Sequence, residues 1–237
     1  QIFQDFEVVL VDNGSDYDSR PIIEGFVTRH GLSRQSTIVM LPTNTGFPGG
    51  NLSGLKLASG QYLITLNNDT EVEKEWLHEL VTAIESDPAT GICASRLTVY
   101  GKDVIDSAGD SFSKALRGFK RGEGEGPEKY TEREYVFGAC AGAALYRREM
   151  LDDIGFFDED FFLIHEDTDL NFRAQLAGWK VLYVPTAVVR HKVRSSIGTM
   201  SATAVYYSLR NSEWVRMKNV PAAVLLWCLP QVVIDYI

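Results

Sequence analysis

Phe6-Glu7-Val8-Val9-Leu10-Val11 is a continuous, mostly apolar run rich in β-branched side chains, and Asp12-Asn13-Gly14-Ser15 closes it. An apolar run ended by turn formers is the pattern of a strand buried on both faces, as in a parallel sheet covered by helices. The unit then recurs. Ser36 to Leu41 and Tyr62 to Leu66 predict two further strands, and a helix is expected between the first two, near Ser19 to His30. Asn44-Thr45-Gly46-Phe47-Pro48-Gly49-Gly50-Asn51 reads as a Gly-rich loop before a short helix ending at Gly60. Lys74 to Ser86 places Trp76, Leu77, Leu80, Val81 and Ile84 on one side of a helix that Asp87-Pro88 stops. This alternation predicts a doubly wound α/β sheet.

Beyond Gly91 to Val99 the regularity falls. Phe119 to Lys129, with its Gly, Glu and Lys, reads as an exposed mobile loop of the kind that closes over substrates. Phe137 to Tyr146 is small and apolar, and Arg148 to Ile154 suits one or two helical turns. A helix is expected from Glu166 to Ala177 with Gly178 as its cap, then a strand from Val181 to Val189 leading to Arg190-His191, and a last helix over Ala202 to Lys218.

With 237 residues, 45% of them hydrophobic and 23% charged, the chain suits one large domain. Cys93, Cys140 and Cys228 are far apart and odd in number, which argues against a disulfide framework or zinc knuckle and fits a reducing, cytosolic setting. The sequons at Asn13, Asn51 and Asn68 fall in turns assigned below to a nucleotide site and read as accidental. The net charge is −9, yet residues 171 to 220 hold eight Lys or Arg against the single acid Glu213; their +7 leaves −16 on the remainder. That basic stretch, which includes Arg194, would face a diphosphate or an anionic membrane, or is an ordinary solvated helix face; the acidic remainder argues against nucleic acid. No cleavable signal precedes the first strand. Val220 to Ile237 is mostly apolar, but Pro221, Pro230, Gln231 and Asp235 interrupt it, so an interfacial or packed helix is expected rather than a membrane span. The expected division is residues 1–218 as the main domain and 219–237 as this apolar C-terminal segment.

Two acidic places carry the candidate chemistry. Asn67-Asn68-Asp69 ends a buried strand, where open α/β sheets bind ligands, and its carboxylate could reach a Mg2+ or Mn2+ ion shared with nucleotide phosphates; turn formation explains the same residues. His165-Glu166-Asp167-Thr168-Asp169 opens a helix about a hundred residues later, where the helix dipole also favours acids. Asp169 and Arg173 are spaced for an i,i+4 ion pair, which leaves Glu166 and Asp167. Two adjacent acids repel and raise one pKa towards the range of a general base; Asp167 is the choice. His191 could be a metal ligand, a phosphate contact or a surface imidazole. Gly46, Gly49 and Gly50 could admit close approach to a ligand, with Asn51 or Ser53 capping the following helix and its amides aimed at phosphate, although a structural turn explains the glycines equally well. No GxGxxG or GxxxxGK[ST] pattern occurs, which argues against dinucleotide and P-loop sites.

Over nearly its whole length the chain resembles family 2 glycosyltransferases of the GT-A fold, especially the bacterial rhamnosyltransferase-like group. The resemblance rests on Val11-Asp12-Asn13-Gly14-Ser15, Asn44-Thr45-Gly46-Phe47 with Gly50-Asn51, Leu66-Asn67-Asn68-Asp69-Thr70, Phe157-Asp158-Glu159 with Glu166-Asp167-Thr168-Asp169-Leu170, and His191 with Tyr206-Tyr207 and Arg210-Asn211. It implies a Rossmann-like, mostly parallel central sheet flanked by helices. Family members usually begin with another strand and helix, neither of which precedes Gln1, so an N-terminally incomplete sheet is expected. The resemblance further implies that Asp12 and Asn13 contact a nucleoside, that Asn44, Gly46 and Asn51 line a donor pocket, and that Asn67-Asn68-Asp69 is a variant of the family's DxD motif. Asp69 and the auxiliary ligand His191 would then hold Mg2+ or Mn2+, with donor phosphates completing the shell. Asp167, with Glu166 beside it, would be the base of an inverting transfer. The implied donor is a dTDP- or UDP-sugar and the acceptor a glycan or polyprenyl-linked hydroxyl, in the cytoplasm with a peripheral contact at the inner membrane face. Two other readings are a non-catalytic sugar-nucleotide or glycan-binding module, and a sugar-nucleotide nucleotidyltransferase, which would carry a Gly-rich phosphate loop at its first strand.

Overall fold

The structure, a computed structural model, describes residues 1–192 and 201–236. In chain order they form β1 (Val8–Asn13), α1 (Arg20–Arg29), β2 (Ser36–Leu41), α2 (Gly46–Leu55), β3 (Tyr62–Leu66), β4 (Thr70–Val72), α3 (Trp76–Glu85), β5 (Thr90–Val99), β6 (Ile105–Ser107), β7 (Asp110–Phe112), β8 (Gly118–Lys120), β9 (Glu134–Val136), β10 (Ala143–Arg147), α4 (Arg148–Ile154), α5 (Glu166–Leu176), β11 (Lys180–His191), α6 (Ala202–Asn219) and α7 (Ala222–Tyr236). Arg194 lies outside the described residues.

The main sheet has the order β3-β10-β5-β11-β4, with β6 paired to β5 and β9 to β11. β1 and β2 pair with each other, as do β7 and β8. The parallel pairing expected from the apolar runs holds for β1 with β2 and for β5 with β11. Around that pair the sheet is mixed: β3, β4, β6, β9 and β10 all pair antiparallel. The short strands β4, β6 and β9 have too few residues to show a hydrophobic period, and β10 enters between β3 and β5 from the opposite end. Pro185 marks an irregularity in β11, where pairing with β5 breaks between Val184 and Val188, as expected of a residue without an N–H.

Successive side chains of the central strands enter two cores, as the strand period of two requires. On one face Ile92, Ala94, Ala144, Tyr146, Val181 and Tyr183 pack with Met150 of α4, Phe156, Phe157 and Leu170 of α5. On the other, Cys93, Leu97, Leu145, Leu182 and Val184 meet Trp76, Leu77, Leu80, Val81 and Ile84 of α3, the side read from the sequence. Each such fully buried aliphatic side chain contributes roughly 1.5–3 kcal/mol of burial free energy. Arg147 closes the end of α3 by donating to the carbonyls of Ile84 (2.7 Å) and Thr90 (2.9 Å).

Two local expectations are corrected. Gly46 to Gly50, read as a loop, is the first half of α2. Asn51 and Ser53 are therefore not caps; they lie within the helix and donate back to Phe47 O and Gly49 O at 2.8 and 2.9 Å. Phe119 to Lys129, read as a mobile loop, begins inside β8 and is tied down beyond it. Arg121 N donates to Gly109 O and Ile105 N to Glu125 O, and the Arg121 guanidinium stacks on Tyr130. Short elements with charged residues leave too little periodicity to distinguish them from a loop.

At the C-terminal end α7 buries Cys228 against Leu116 and Val220, while Leu226, Trp227, Val233 and Ile234 are exposed. No helix among the described residues is long and apolar enough to cross a membrane.

Candidate active site

Backbone pairing assembles the metal-side corner. Thr70 opens β4 and pairs with His191 at the end of β11, and Lys192 N donates to Asp69 O at 2.9 Å. The Asp69 carboxylate is thus placed beside the His191 ring, with Oδ1 3.4 Å from Nε2. On the other ring nitrogen, His191 Nδ1 lies 2.8 Å from Oδ2 of the buried Asp106, whose Oδ1 accepts from Lys120 Nζ at 2.7 Å. Burial alone would raise the Asp106 pKa, but the His191 and Lys120 contacts outweigh it and hold the carboxyl below its ordinary value.

A strained loop sets the second acidic patch. Phe162, Ile164 and His165 have φ of 60°, 67° and 70°, in the left-handed region that side chains other than glycine rarely occupy. The loop persists because α6 over-determines it. Asn211, completely buried, donates through Nδ2 to the carbonyls of Phe161, Leu163 and Ile164 at 2.7 to 2.8 Å. Its neighbour Arg210 donates to Asp160 O and Phe161 O while stacking on Tyr207 and Trp214. The loop delivers Glu166 and Asp167 at the start of α5. Asp167 Oδ1 accepts from Thr168 N at 2.7 Å and Oδ2 from Ala141 N at 3.3 Å. Asp169 takes the structural role read for it, bonded to Arg173 Nε at 2.9 Å and Asn219 Nδ2 at 2.7 Å.

A cleft of about 640 Å³ joins these corners. Asn67, Asp110, Lys120, Glu166, Asp167 and His191 all line it; Asp69 adjoins it through His191. Within it, burial first and Asp167 second push Glu166 up to about 8, and burial with Asp167 pushes Asp110 well above the carboxylate range. The acid pushed up is Glu166, beside the chosen base. The causes fit: Glu166 Oε2 is buried without a hydrogen-bond partner, whereas both Asp167 oxygens receive N–H donors. Beside Asp167, burial and its charge thus make both Glu166 and Asp110 harder to ionise.

The remaining expected donor residues form a separate network. Asp12 is buried and spends its carboxylate on its own turn, accepting from Ser15 N at 2.8 Å and from Ser19 Oγ, which holds it below its usual pKa. Asn13 donates to Gly46 O at 2.8 Å and accepts from Thr45 N at 3.0 Å, while Asn44 Oδ1 accepts from Gly46 N at 2.8 Å. Phe47 N is taken by Phe162 O at 2.8 Å. The first two amides of α2 are therefore engaged within the protein, which corrects the expectation that they point at phosphate. Gly46 has φ +75°, and a Cβ there would collide with Phe162 O, so α2 and the loop before Asp167 meet backbone to backbone. Asn51 bonds within α2, and Asn68 is exposed beyond β3. Of this set only Asn67 lines the cleft, while Phe47 connects α2 to it.

His191, Ala204, Val205, Ser208 and Leu209 of the basic C-terminal stretch line the cleft, but among the described residues none of its Lys or Arg does. Lys180 pairs with Asp87, Arg190 with Glu73, and Lys218 with Asp158, so these cations act as internal or surface partners. Sequence reasoning missed Asp106, Asp110 and Lys120. The available signal was Ile105-Asp106-Ser107-Ala108-Gly109-Asp110, two acids bracketing a small apolar stretch.

A divalent ion would find here one carboxylate and one imidazole, Asp69 and His191; among the described residues no group of three or more His, Cys, Asp or Glu is placed to hold a metal. This donor set fits a cation held weakly by protein and completed by phosphate oxygens.

The model of the family described as "Glycosyl transferase family 2" matches residues 1–155. The chain belongs to that family. Among similar proteins, the amylovoran biosynthesis glycosyltransferase AmsB of Erwinia amylovora is 26% identical over 88% of this chain and 67% of its own length. Polypeptide N-acetylgalactosaminyltransferase 11 of Xenopus tropicalis is 24% identical over 79% of the chain, which spans only 33% of that relative. An N-acetylglucosaminyl-diphospho-decaprenol L-rhamnosyltransferase of Mycobacterium tuberculosis is 35% identical, over 35% of the chain and 29% of its own length. In structure, GalNAc-T7 crystallised with UDP, GalNAc and Mn2+ superposes with a TM-score of 0.70 at 20% identity, covering 89% of this chain and 42% of that one. The fold is GT-A.

Proposed function

We propose that this chain transfers a sugar from a nucleoside-diphosphate-sugar to an acceptor hydroxyl, with inversion at the anomeric carbon. The observation that carries the reading is the single cleft that Asn67, His191 and Asp167 line together, with Asp69 against His191. Asp167 accepts the acceptor's hydroxyl proton as that oxygen forms a bond to the anomeric carbon, and the bond to the diphosphate oxygen breaks on the opposite face. The nucleoside diphosphate leaves with the bonding pair. Asp69 and His191 would hold Mg2+ or Mn2+, which when bound offsets negative charge on the departing diphosphate. Lys120, on the same cleft, adds a fixed positive charge. Glu166, pushed up to about 8, offers a protonated hydroxyl-binding group beside the base without adding like charge that would repel the diphosphate.

UDP- and dTDP-sugars are the donors to test. The UDP in the GalNAc-T7 structure supports the first, and the partial similarity to the mycobacterial rhamnosyltransferase supports a polyprenyl-linked acceptor. A glycan acceptor is supported by the similarity to AmsB. We place catalysis in residues 1–218. Residues 219–237 then act as an interfacial helix at the cytosolic membrane face, supported by the exposed Leu226, Trp227 and Ile234.

Released nucleoside diphosphate, measured across a panel of UDP- and dTDP-sugars with Mn2+, tests the reading. One donor should be turned over by the wild type and not by Asp167→Asn; turnover by Asp167→Asn at the wild-type rate would remove the assigned base.

A further inference from the structure

We propose that Asp106 is a positioning residue that fixes the tautomer of His191, turning the lone pair of Nε2 towards Asp69 and so making the imidazole a ready ligand for a divalent cation. The inference rests on the reading above, in which Asp69 and His191 hold that cation.

The placement is built by adjacent strands of one sheet. β6 pairs with β5 through Ser107 opposite Leu97 and Ile105 opposite Thr98, and β11 lies on β5 with His191 opposite Val99. Residues 106 and 191 are thus brought together by backbone registers that do not depend on their own side chains. Asp106 is 1% exposed, and its Oδ2 stands 2.8 Å from His191 Nδ1.

A carboxylate only accepts hydrogen bonds, so a contact of that length places the ring proton on Nδ1. A neutral imidazole then has a lone pair on Nε2, and this nitrogen stands 3.4 Å from Asp69 Oδ1. The rival arrangement is an imidazolium bridging two carboxylates as a purely structural triad. Lys120 Nζ also meets Asp106, at 2.7 Å. The Asp69 contact is longer than a charge-assisted hydrogen bond, whose N–O distance is about 2.7–2.9 Å. Two electron-pair donors facing each other at that spacing suit a shared cation. A carboxylate on the far nitrogen of a ligating histidine sets both ring orientation and basicity, and losing it weakens metal binding by about 10- to 100-fold.

The test uses the whole chain labelled with 15N-histidine, with His191→Gln identifying the His191 signals among the four histidines. Without metal, imidazole 15N–1H correlations of the wild type should show His191 as the neutral Nδ1–H tautomer. In Asp106→Asn the carboxamide N–H can donate to Nδ1, and the ring should move to the Nε2–H form. Mn2+ titrations in the presence of UDP, followed by the EPR signal of the free ion, should then show affinity reduced about 10- to 100-fold in Asp106→Asn. UDP binding without metal should stay unchanged. A doubly protonated His191 in the wild type overturns the inference and needs no variant to be folded. So does Asp106→Asn with wild-type tautomer and wild-type Mn2+ affinity, while His191→Gln and Asp69→Asn both lose the ion. If those two variants bind Mn2+ and UDP as the wild type does, the underlying cation reading fails instead.

Discussion

Replacing Glu166 by Gln should alter the pH dependence of stability more than stability at any single pH. Glu166 is buried at the start of α5, Oε2 has no hydrogen-bond partner, and its pKa stands at about 8 against 4.5 for a free side chain. The unfolded chain gives up this proton near pH 4.5, whereas the folded chain keeps it until about pH 8. Between those values the folded state binds more protons, so stability falls as pH rises, and the whole penalty is present above pH 8. The rise of about 3.5 units, at about 1.36 kcal/mol each, sets a ceiling on the order of 5 kcal/mol. Part of that ceiling belongs to Asp167, whose charge contributes to the shift. Gln cannot ionise and removes the slope.

Urea unfolding of wild type and Glu166→Gln at pH 5, 7 and 9, followed by the fluorescence of tryptophans such as the buried Trp76, measures it. The variant should gain on the wild type by about 2 kcal/mol or more between pH 5 and pH 9. A gap that stays constant across that range refutes the buried, protonated Glu166. Because Gln resembles the protonated acid, Glu166→Gln should also keep most of its transfer activity at pH 7, unlike a variant of the base.

Three further outcomes follow from the same geometry. Asp167→Asn should reduce turnover by about 10²- to 10⁴-fold while leaving UDP affinity, measured by calorimetry, unchanged. Asn211→Ala strips buried carbonyls of their donor and should cost about 1–3 kcal/mol in chemical unfolding, with kcat falling as the left-handed loop before Asp167 relaxes. Gly46→Ala forces a Cβ against Phe162 O at a positive φ; it should cost upwards of about 1 kcal/mol and lower kcat as well, because the displaced carbonyl belongs to that loop.

The strands that carry continuous apolar runs were legible with near-correct ends: Ser36–Leu41 and Tyr62–Leu66 match the structure residue for residue. So were α4, and α5 with Gly178 beyond its end, because apolar spacing and a C-terminal glycine mark them locally. α2 was misread because three glycines suppress helix propensity, while its actual start depends on Asn13, Asn44 and Phe162, distant in sequence or beyond the helix. The strands around Asp106 and Asp110 span three residues each, too short for a period to appear. In the site, Asp69, Asp167 and His191 could be named from their positions at strand and helix ends. Their convergence could not, because it depends on the registers of β4, β5 and β11. The state of Glu166 was likewise hidden, since an adjacent pair of acids does not reveal which side chain faces protein and which receives N–H donors. Asn13 and Asn44 were legible as residues around a turn, but their hydrogen bonds run mainly to α2.

The central claim is that Asp69 and His191 grip the donor's cation at one end of the cleft whose other end holds Asp167. Anomalous diffraction from crystals grown with UDP and Mn2+ tests it most directly. The account predicts a manganese peak bonded to Asp69 and to Nε2 of His191, with the diphosphate beside it and Asp167 facing the open side of the same cleft. A manganese peak bound to UDP on another surface, touching neither residue, contradicts it.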